Sequence, residues 1–355
     1  MRDPLNKTIT TIQPSGIRKF FDVVHEMKDA ISLGVGEPDF DTPWHIRDEG
    51  IYSLEKGKTH YTSNAGLKEL KTEIDRYLNR HYGISYDVDH EIMVTIGGSE
   101  AIDAAMRAML DPGDEVLIPQ PSYVSYVPCA VLAGGVPVVI ELKAENEFRL
   151  TAEELEAAIT PKTKLLVLPF PNNPTGAIME KSDLEKIAEV IKKHDIFVLS
   201  DEIYSELTYL EKHVTIASLP GMWERTIVIN GFSKSHAMTG WRLGYACGPR
   251  VIIEQMLTVT VGLADSIMTA NVGEEAVSGV SLVDSVMVLM INLFSALATG
   301  GAVVAGQFLG QRKNIMACKT ADQLILFIVS LSVVIMAGIY ACKNFILNVV
   351  FGNIE

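Results

Sequence analysis

The charged residues of this chain are unevenly distributed, and the change falls near residue 250. About one quarter of the first 250 residues are Asp, Glu, Lys or Arg, as in a soluble domain, against about one tenth of the last 105. Two runs in this last part, 285–311 and 323–342, contain no charged residue over 27 and 20 positions. About 20 apolar residues span the hydrocarbon core of a bilayer. The sequence therefore predicts a soluble region followed by a membrane-embedded helical region.

Short apolar runs alternate with amphipathic stretches in the first 250 residues. Five runs are rich in Val, Ile and Leu, as buried strands are, and they cover residues 115–118, 136–140, 165–168, 197–199 and 226–229. Between the third and fourth runs, Ser182 and Glu185 have the spacing of a capping box ahead of an apolar helical face. The alternation predicts an α/β fold, a mostly parallel sheet with helices on both faces.

Charge and cysteine patterns exclude several functions. The net charge of −14 leaves no basic stripe to neutralise phosphates, so we expect no nucleic-acid partner. The four cysteines have no paired spacing and the eight histidines form no HExxH pattern, so we expect neither disulfides nor a bound metal. The first ten residues are polar and unlike a signal peptide, which favours the cytoplasm for this region.

Polar residues with catalytic chemistry follow several of the predicted strands. A glycine turn at Gly98 and Ser99 opens a helix and could hold a phosphate, although many such turns are only tight connections. Asn173 lies in a proline-rich turn after the third run. Asp201 could pair with a protonated ring nitrogen or cap a helix, and Lys234 could be a Schiff-base nucleophile or a solvated charge. All follow strand ends, the edge of a parallel sheet where ligands bind.

Taken together and in this order, these residues resemble the class I aminotransferases of fold type I, which depend on pyridoxal 5′-phosphate. The resemblance covers about residues 5–249. Its motifs are Gly34-Val35-Gly36-Glu37-Pro38-Asp39-Phe40, Tyr61 with Gly66, Gly98-Ser99-Glu100, Pro121-Ser122-Tyr123, Asn173-Pro174-Thr175-Gly176, Asp201-Glu202-Ile203-Tyr204, and Ser233-Lys234 with Arg242. It implies transfer of an amino group between an amino acid and a 2-oxo acid. A pyridoxal-phosphate lyase or synthase is the alternative, because it shares the lysine loop.

The resemblance implies a role for each residue around the cofactor ring. Lys234 would bind the cofactor as a Schiff base and shuttle the proton. Asp201 would pair with the ring nitrogen and Tyr123 would stack on the ring face. Asn173 and Tyr204 would hydrogen-bond the ring hydroxyl oxygen, and Asn173 would also face the substrate.

The other matched residues would bind the phosphate and the substrate. The phosphate would be held by Gly98, Ser99, Glu100, Ser233 and Arg242. Tyr61 would reach the phosphate of a partner subunit, which implies a homodimer, and Gly36 would line the carboxylate side of the substrate. In the family, a small C-terminal domain supplies the arginine that binds the substrate carboxylate. Nothing after Pro249 resembles that domain, so we expect a truncated enzyme region with impaired turnover.

Residues 250–355 resemble the start of multidrug and toxic compound extrusion (MATE) transporters. The resemblance rests on small-residue apolar stretches within 258–281, on Ala298-Thr299-Gly300-Gly301 and on Gln307-Phe308-Leu309-Gly310. It implies an all-α segment with about three transmembrane helices, at about 251–272, 281–310 and 322–343, with the bilayer as partner, and an ion-coupling role for Asp265. Basic residues at 312, 313 and 319 place their loop, and with it the enzyme region, in the cytoplasm by the positive-inside rule.

The joint between the two regions, at residues 248–250, lacks the flexible polar linker that usually separates domains. We therefore expect domains at 1–249 and 250–355, with three explanations open. The chain is an aminotransferase region attached to a membrane, a MATE-type drug efflux fragment with an enzyme passenger, or a product of gene fusion, deletion or assembly error with neither full activity.

Overall fold

The computed structural model describes residues 7–12, 36–209, 211–270, 274–311 and 313–345, without the side chains of 263–289, 291–292, 339 and 342–345. The side chain of Asp265 lies outside this description, so its ion-coupling role stays a prediction. The chain divides into two compact units, Met1–Gly262 and Leu263–Glu355.

The helices and strands of the described residues are named here in chain order. They are α1 Lys7–Thr11, α2 Trp44–Glu55, α3 Lys68–Tyr82, β1 Ile92–Thr95, α4 Gly97–Met109, β2 Glu115–Gln120, α5 Tyr126–Leu132, β3 Val136–Glu141, α6 Ala152–Ala158, β4 Thr163–Leu168, α7 Lys181–His194, β5 Phe197–Asp201, β6 Thr226–Gly231, β7 Gly244–Cys247, α8 Arg250–Ala270, α9 Glu274–Gly310 and α10 Asn314–Phe345.

The seven strands form one mixed sheet in the order β1-β7-β6-β5-β4-β2-β3. Strand β7 runs antiparallel to both of its neighbours, and the pairs from β6 to β3 are parallel. The five predicted strands are confirmed as β2 to β6. The mostly parallel sheet is therefore confirmed, with one antiparallel strand that the sequence pattern did not predict.

Apolar side chains cover both faces of the sheet. Along β4, Leu165 and Val167 join a cluster with α4, α5 and α8, whereas Leu166 and Leu168 join a cluster with α6 and α7. Successive strand residues point to opposite faces, so one strand contributes to both cores. Each such buried side chain stabilises the fold by about 1.5–3 kcal/mol relative to an exposed one. Helices on both faces are confirmed.

Helix α7 begins one residue earlier than the predicted capping box. Lys181 is its first residue and Glu180 is the N-cap, whose N–H donates to Asp183 Oδ2 at 3.4 Å. The Ser182–Glu185 capping box is therefore wrong, because Glu180 and Asp183 have the same three-residue spacing and an acidic side chain that can reach back.

Helix α8 contributes its first turns to the core of the first unit. Ile252, Ile253 and Met256 are buried in the cluster that covers one face of the sheet. The described core of the first unit thus extends beyond Pro249, and the division between the units falls within α8, after Gly262.

The second unit contains α9 and α10, which contact each other. Gly301 lies so close to Leu324 that a Cβ atom would overlap its side chain. Two apolar segments of the described residues, Leu293–Gly310 and Asn314–Gly338, are long enough to cross a membrane, and neither is buried within the chain. They lie in the regions of the second and third predicted spans.

Candidate active site

The carboxyl ends of β1, β5 and β6 meet the start of β7 at one edge of the sheet. Thr95 pairs with Gly244, and Gly244 pairs with Gly231. Asp201 pairs with Ile229, two residues before the end of β6. The loops that carry the predicted cofactor residues therefore leave the sheet along this one edge, where ligands of such sheets bind.

Lys234 lies in the loop after β6, and its amine faces the predicted site. Lys234 Nζ donates a hydrogen bond to the carbonyl oxygen of Gly36 and lies 5.6 Å from the ring centroid of Tyr204. Burial lowers the pKa of this amine; Glu37 opposes the shift and Arg242 adds to it. A lowered pKa favours the neutral amine, the form that attacks a carbonyl carbon.

Asp201 is a buried carboxylate at the end of β5, with 6% of its surface exposed. It accepts hydrogen bonds from Tyr126 Oη at 2.7 Å and from the N–H of Ile203 at 3.2 Å. Burial raises the pKa of Asp201, while these two hydrogen bonds lower it. Both donors are neutral, and a buried charge is stabilised by a charged partner. A protonated ring nitrogen would supply that partner.

The hydrogen bond from Tyr126 is the contact of Asp201 that the sequence analysis missed. Tyr126 is buried at the start of α5, and its ring meets that of Tyr123 edge to face at 5.6 Å between centroids. A tyrosine one turn after the predicted stacking tyrosine is the signal that could have identified it, since residues three apart in a turn share a side.

Asn173 and Tyr204 come together as the resemblance implied. Asn173 Nδ2 donates to Tyr204 Oη at 3.4 Å, and a Cβ atom at Gly36 would lie 3.9 Å from the same hydroxyl. Burial, with a smaller contribution from Asp201, raises the pKa of Tyr204. The phenol therefore stays protonated and can donate to a ring oxygen.

The N-terminus of α4, where the sequence predicts an anion site, lies against Arg242. Gly97 has φ +73°, and a Cβ atom there would overlap the guanidinium group of Arg242. Arg242 Nη1 donates to the carbonyl oxygen of Thr239 at 3.0 Å, which orients the side chain. The backbone of Gly98 and Ser99 follows at the first turn, where N–H groups and the helix dipole favour an anion.

The contacts of three further predicted site residues do not by themselves establish a role in binding the cofactor. The carboxylate of Glu100 accepts a hydrogen bond from the N–H of Ile96, so only its backbone N–H suits a phosphate. Ser233 is buried next to Lys234. Tyr61 is fully exposed, and no hydrogen bond or ring contact joins it to the other site residues within the described chain. These roles stay predictions.

Backbone packs directly on backbone beneath the site. A Cβ atom at Gly244 would lie 2.6 Å from the carbonyl carbon of Gly97, and one at Gly231 would lie 3.0 Å from the Cα of Gly244. The contact at Gly244 excludes any side chain, and the one at Gly231 leaves a side chain room only if its neighbours move. The start of α4, β7 and the lysine loop therefore approach as closely as main chain allows.

These side chains fit pyridoxal 5′-phosphate. Among the described residues, no group of His, Cys, Asp and Glu is arranged to hold a metal ion. Instead the site combines an amine of lowered pKa, a buried acid, a phenol–amide pair and an anion-binding helix start. When bound, the cofactor supplies an electron-withdrawing ring. The sheet and this site define a pyridoxal-phosphate enzyme of the mixed-sheet α/β aminotransferase fold.

The family described as "Aminotransferase class I and II" matches residues 28–293, and the chain belongs to this family. A second family, MatE, matches residues 251–353 and overlaps the end of the first match.

Similar proteins agree with this assignment. The putative aminotransferase YugH of Bacillus subtilis is 52% identical over 259 residues, which are 73% of this chain and 67% of that protein. An aspartate aminotransferase of Pyrococcus abyssi is 49% identical over 71% of this chain and 65% of its own length. The solved aspartate aminotransferase from Thermus thermophilus with maleate has a TM-score of 0.69 at 40% identity, covering 73% of this chain and 68% of that one. The chain thus spans about two thirds of the length of its relatives.

Proposed function

We propose that the first unit transfers amino groups between an amino acid and a 2-oxo acid. The observation that carries this proposal is the position of the Lys234 amine, which lies beside Tyr204 at the sheet edge where Asp201 is buried. The relatives described as aspartate and aromatic-amino-acid aminotransferases support it.

Each side chain has a definite task in this proposal. The neutral Lys234 Nζ would accept the proton that leaves the α-carbon of the substrate and would deliver it to the cofactor. Asp201 keeps the ring nitrogen of the cofactor protonated. Asn173 and Tyr204 hold the ring oxygen, and Arg242 with the start of α4 holds the phosphate.

A panel of amino donors with 2-oxoglutarate tests the reaction class. We expect the detergent-purified chain to form glutamate and the matching 2-oxo acid, and Lys234→Ala to form neither. Release of ammonia with pyruvate would instead assign the site to a lyase, the alternative that the shared lysine loop leaves open.

We propose that turnover is lower than in full-length relatives. The family's carboxylate-binding arginine lies in a C-terminal domain that this chain does not resemble, and each hydrogen bond of a charged pair contributes about 1.5–3 kcal/mol. Misplaced substrates lose about a further 10²-fold in rate. The test compares this chain with a chimera that carries a relative's C-terminal domain after Pro249. Equal rates would contradict the proposal.

We also propose that the active form is a homodimer. The full exposure of Tyr61 supports this, because a phosphate ligand of a partner subunit has to project from its own surface. Mixing Lys234→Ala with Tyr61→Phe subunits tests it: if each site takes residues from both chains, the mixed dimers contain one intact site and recover activity that neither variant has alone.

The second unit is proposed to hold the protein in a membrane as a multi-pass segment, with the enzyme unit in the cytoplasm. The match to MatE and the two unburied apolar segments support this. In α10, the hydroxyls of Ser330 and Ser332 both donate to the carbonyl four residues earlier, at 2.8 Å, so they need no water. Carbonate extraction tests it, since an embedded chain stays in the membrane pellet, whereas release into the supernatant would overturn the proposal.

A further inference from the structure

A second carboxylate follows Asp201 directly, and it points away from the cofactor residues into the protein. Glu202 is completely buried. Its Oε1 accepts hydrogen bonds from Ser200 Oγ at 2.9 Å and Thr215 Oγ1 at 2.6 Å. Its Oε2 lies 2.9 Å from His213 Nε2, on a side chain that is 10% exposed. Oε1 is thus held by two hydroxyl donors, whereas Oε2 is buried close to the His213 ring without a hydrogen bond to it.

The loop after β5 alternates between residues that face the site and residues that are fixed behind it. Asp201 and Tyr204 carry the groups of the cofactor site. Glu202 donates its N–H to Ile229 O at 2.8 Å, and the N–H of Ser205 donates to Glu202 O at 2.9 Å. Of the two anchored residues, Glu202 directly follows Asp201 and Ser205 directly follows Tyr204.

The same anchor reaches the loop that carries Lys234. Asn230 Nδ2 donates to Ser205 Oγ at 3.0 Å, and Asn230 Oδ1 accepts from the N–H of Gly231 at 2.7 Å. Both hydrogen bonds are buried. Through Ser205, one polar network joins the loop of Asp201 and Tyr204 to the strand end that leads to Lys234.

A buried carboxylate is a poor way to gain stability. Removing a carboxylate from water carries a large desolvation penalty, and an apolar side chain of similar volume often gives an equally stable protein. The benefit that such a network can give is a fixed position for the residues that it joins. Each hydrogen bond is strong only over a narrow range of angles, so the network allows few arrangements. At a catalytic site, displacements of about 1 Å reduce rates by about 10²-fold.

We infer that Glu202 is a positioning residue for the pyridoxal-phosphate site. Held by Ser200 and Thr215 and buried against His213, it fixes the 201–205 loop so that Asp201 meets the ring nitrogen and Tyr204 meets the ring oxygen. Glu202 does not touch the cofactor. The inference rests on the proposed function, since it requires that this site binds the cofactor.

The experiment measures cofactor binding by the full-length, detergent-purified chain after removal of bound cofactor. Pyridoxal 5′-phosphate is titrated into wild type, Glu202→Gln, His213→Gln and a control, Thr226→Val, with affinity read from visible absorbance and ring geometry from visible circular dichroism. The control also removes a buried hydrogen bond, from Thr226 Oγ1 to Met222 O at 2.7 Å, but at the opposite end of β6. The thermal unfolding of each cofactor-free variant is recorded in parallel.

We expect Glu202→Gln to weaken binding by about tenfold or more and to change the circular dichroism per bound cofactor. The control should lose a similar amount of thermal stability with unchanged binding and spectrum. If Glu202→Gln does not fold, His213→Gln, at the rim of the network, decides by the same two readouts. If the folded variant binds the cofactor with wild-type affinity and gives the wild-type circular dichroism, the inference is overturned, while the proposed function is unaffected. A wild-type chain that binds no cofactor would overturn the proposed function, and the inference with it.

Discussion

The hydroxyl of Tyr126 offers a sharp test of how the site holds its buried acid. Tyr126→Phe removes the hydrogen bond to Asp201 Oδ2, 2.7 Å long, and leaves the ring in its buried position. A hydrogen bond to a charged group contributes about 1.5–3 kcal/mol. Because 1.4 kcal/mol is tenfold in an equilibrium constant, we expect pyridoxal-phosphate affinity to fall by about 10- to 150-fold. The fall reflects the free energy needed to keep Asp201 ionised without this donor.

Tyr86 provides the matched control for this substitution. It is equally buried and stacks on Trp223 at 5.4 Å, but its hydroxyl has no hydrogen-bond partner in the described structure. Tyr86→Phe should therefore leave the affinity unchanged in the same absorbance titration. If Tyr126→Phe binds the cofactor as tightly as Tyr86→Phe, the hydroxyl does not hold Asp201 in its working state and the reasoning is refuted.

Three further predictions follow from the site. Lys234→Ala should lose the covalent cofactor adduct that borohydride reduction traps in the wild type, measured by intact mass; an adduct in the variant would place the linkage elsewhere. Gly97→Ala should weaken cofactor binding because its Cβ overlaps Arg242, whereas Gly113→Ala, also at positive φ but facing open space, should not; equal effects on titration would contradict the steric account. Burial raises the pKa of Asp201, so the stability contributed by its protonated form is present at low pH and is lost as the pH rises through the folded-state pKa. In thermal unfolding without cofactor, the stability of Asp201→Asn relative to wild type should therefore increase with pH. A difference that stays constant with pH would show that the pKa of Asp201 is not raised in the folded protein.

The parts of the sheet that could be predicted are those with continuous apolar runs. Strands β2, β4, β5 and β6 bury apolar side chains on both faces, whereas β3 at the edge of the sheet has the same apolar composition but keeps Val136 and Val139 exposed. Strand β7, Gly-Tyr-Ala-Cys, has no β-branched residue and was missed. It is a strand because β1 and β6 supply its hydrogen bonds on both sides, and that pairing is not encoded in four residues.

The site likewise contains residues that sequence motifs predict and contacts that only the fold creates. Lys234, Asp201, Asn173 and Tyr204 could be predicted because motifs at fixed spacing carry them, and the structure brings Asn173 to Tyr204 and Lys234 to Tyr204. The hydrogen bond from Tyr126 was missed, because it joins positions 75 residues apart and the spacing of Tyr126 from Tyr123 does not by itself identify Asp201 as the acceptor. The buried anchoring of Glu202 depends in the same way on folding rather than on local sequence.

The backbone contact among Gly97, Gly231 and Gly244 limits how this enzyme can evolve. A core position made too large is normally rescued when a neighbour becomes smaller. Here the atoms nearest to a Cβ at Gly244 belong to the main chain of Gly97 and Gly98, which no substitution can shrink. A screen for second-site suppressors of Gly244→Ala should therefore return only revertants to glycine. The same screen on an overpacked position between the sheet and its helices should return many second-site suppressors. Gly244 is tied to one residue type by geometry alone.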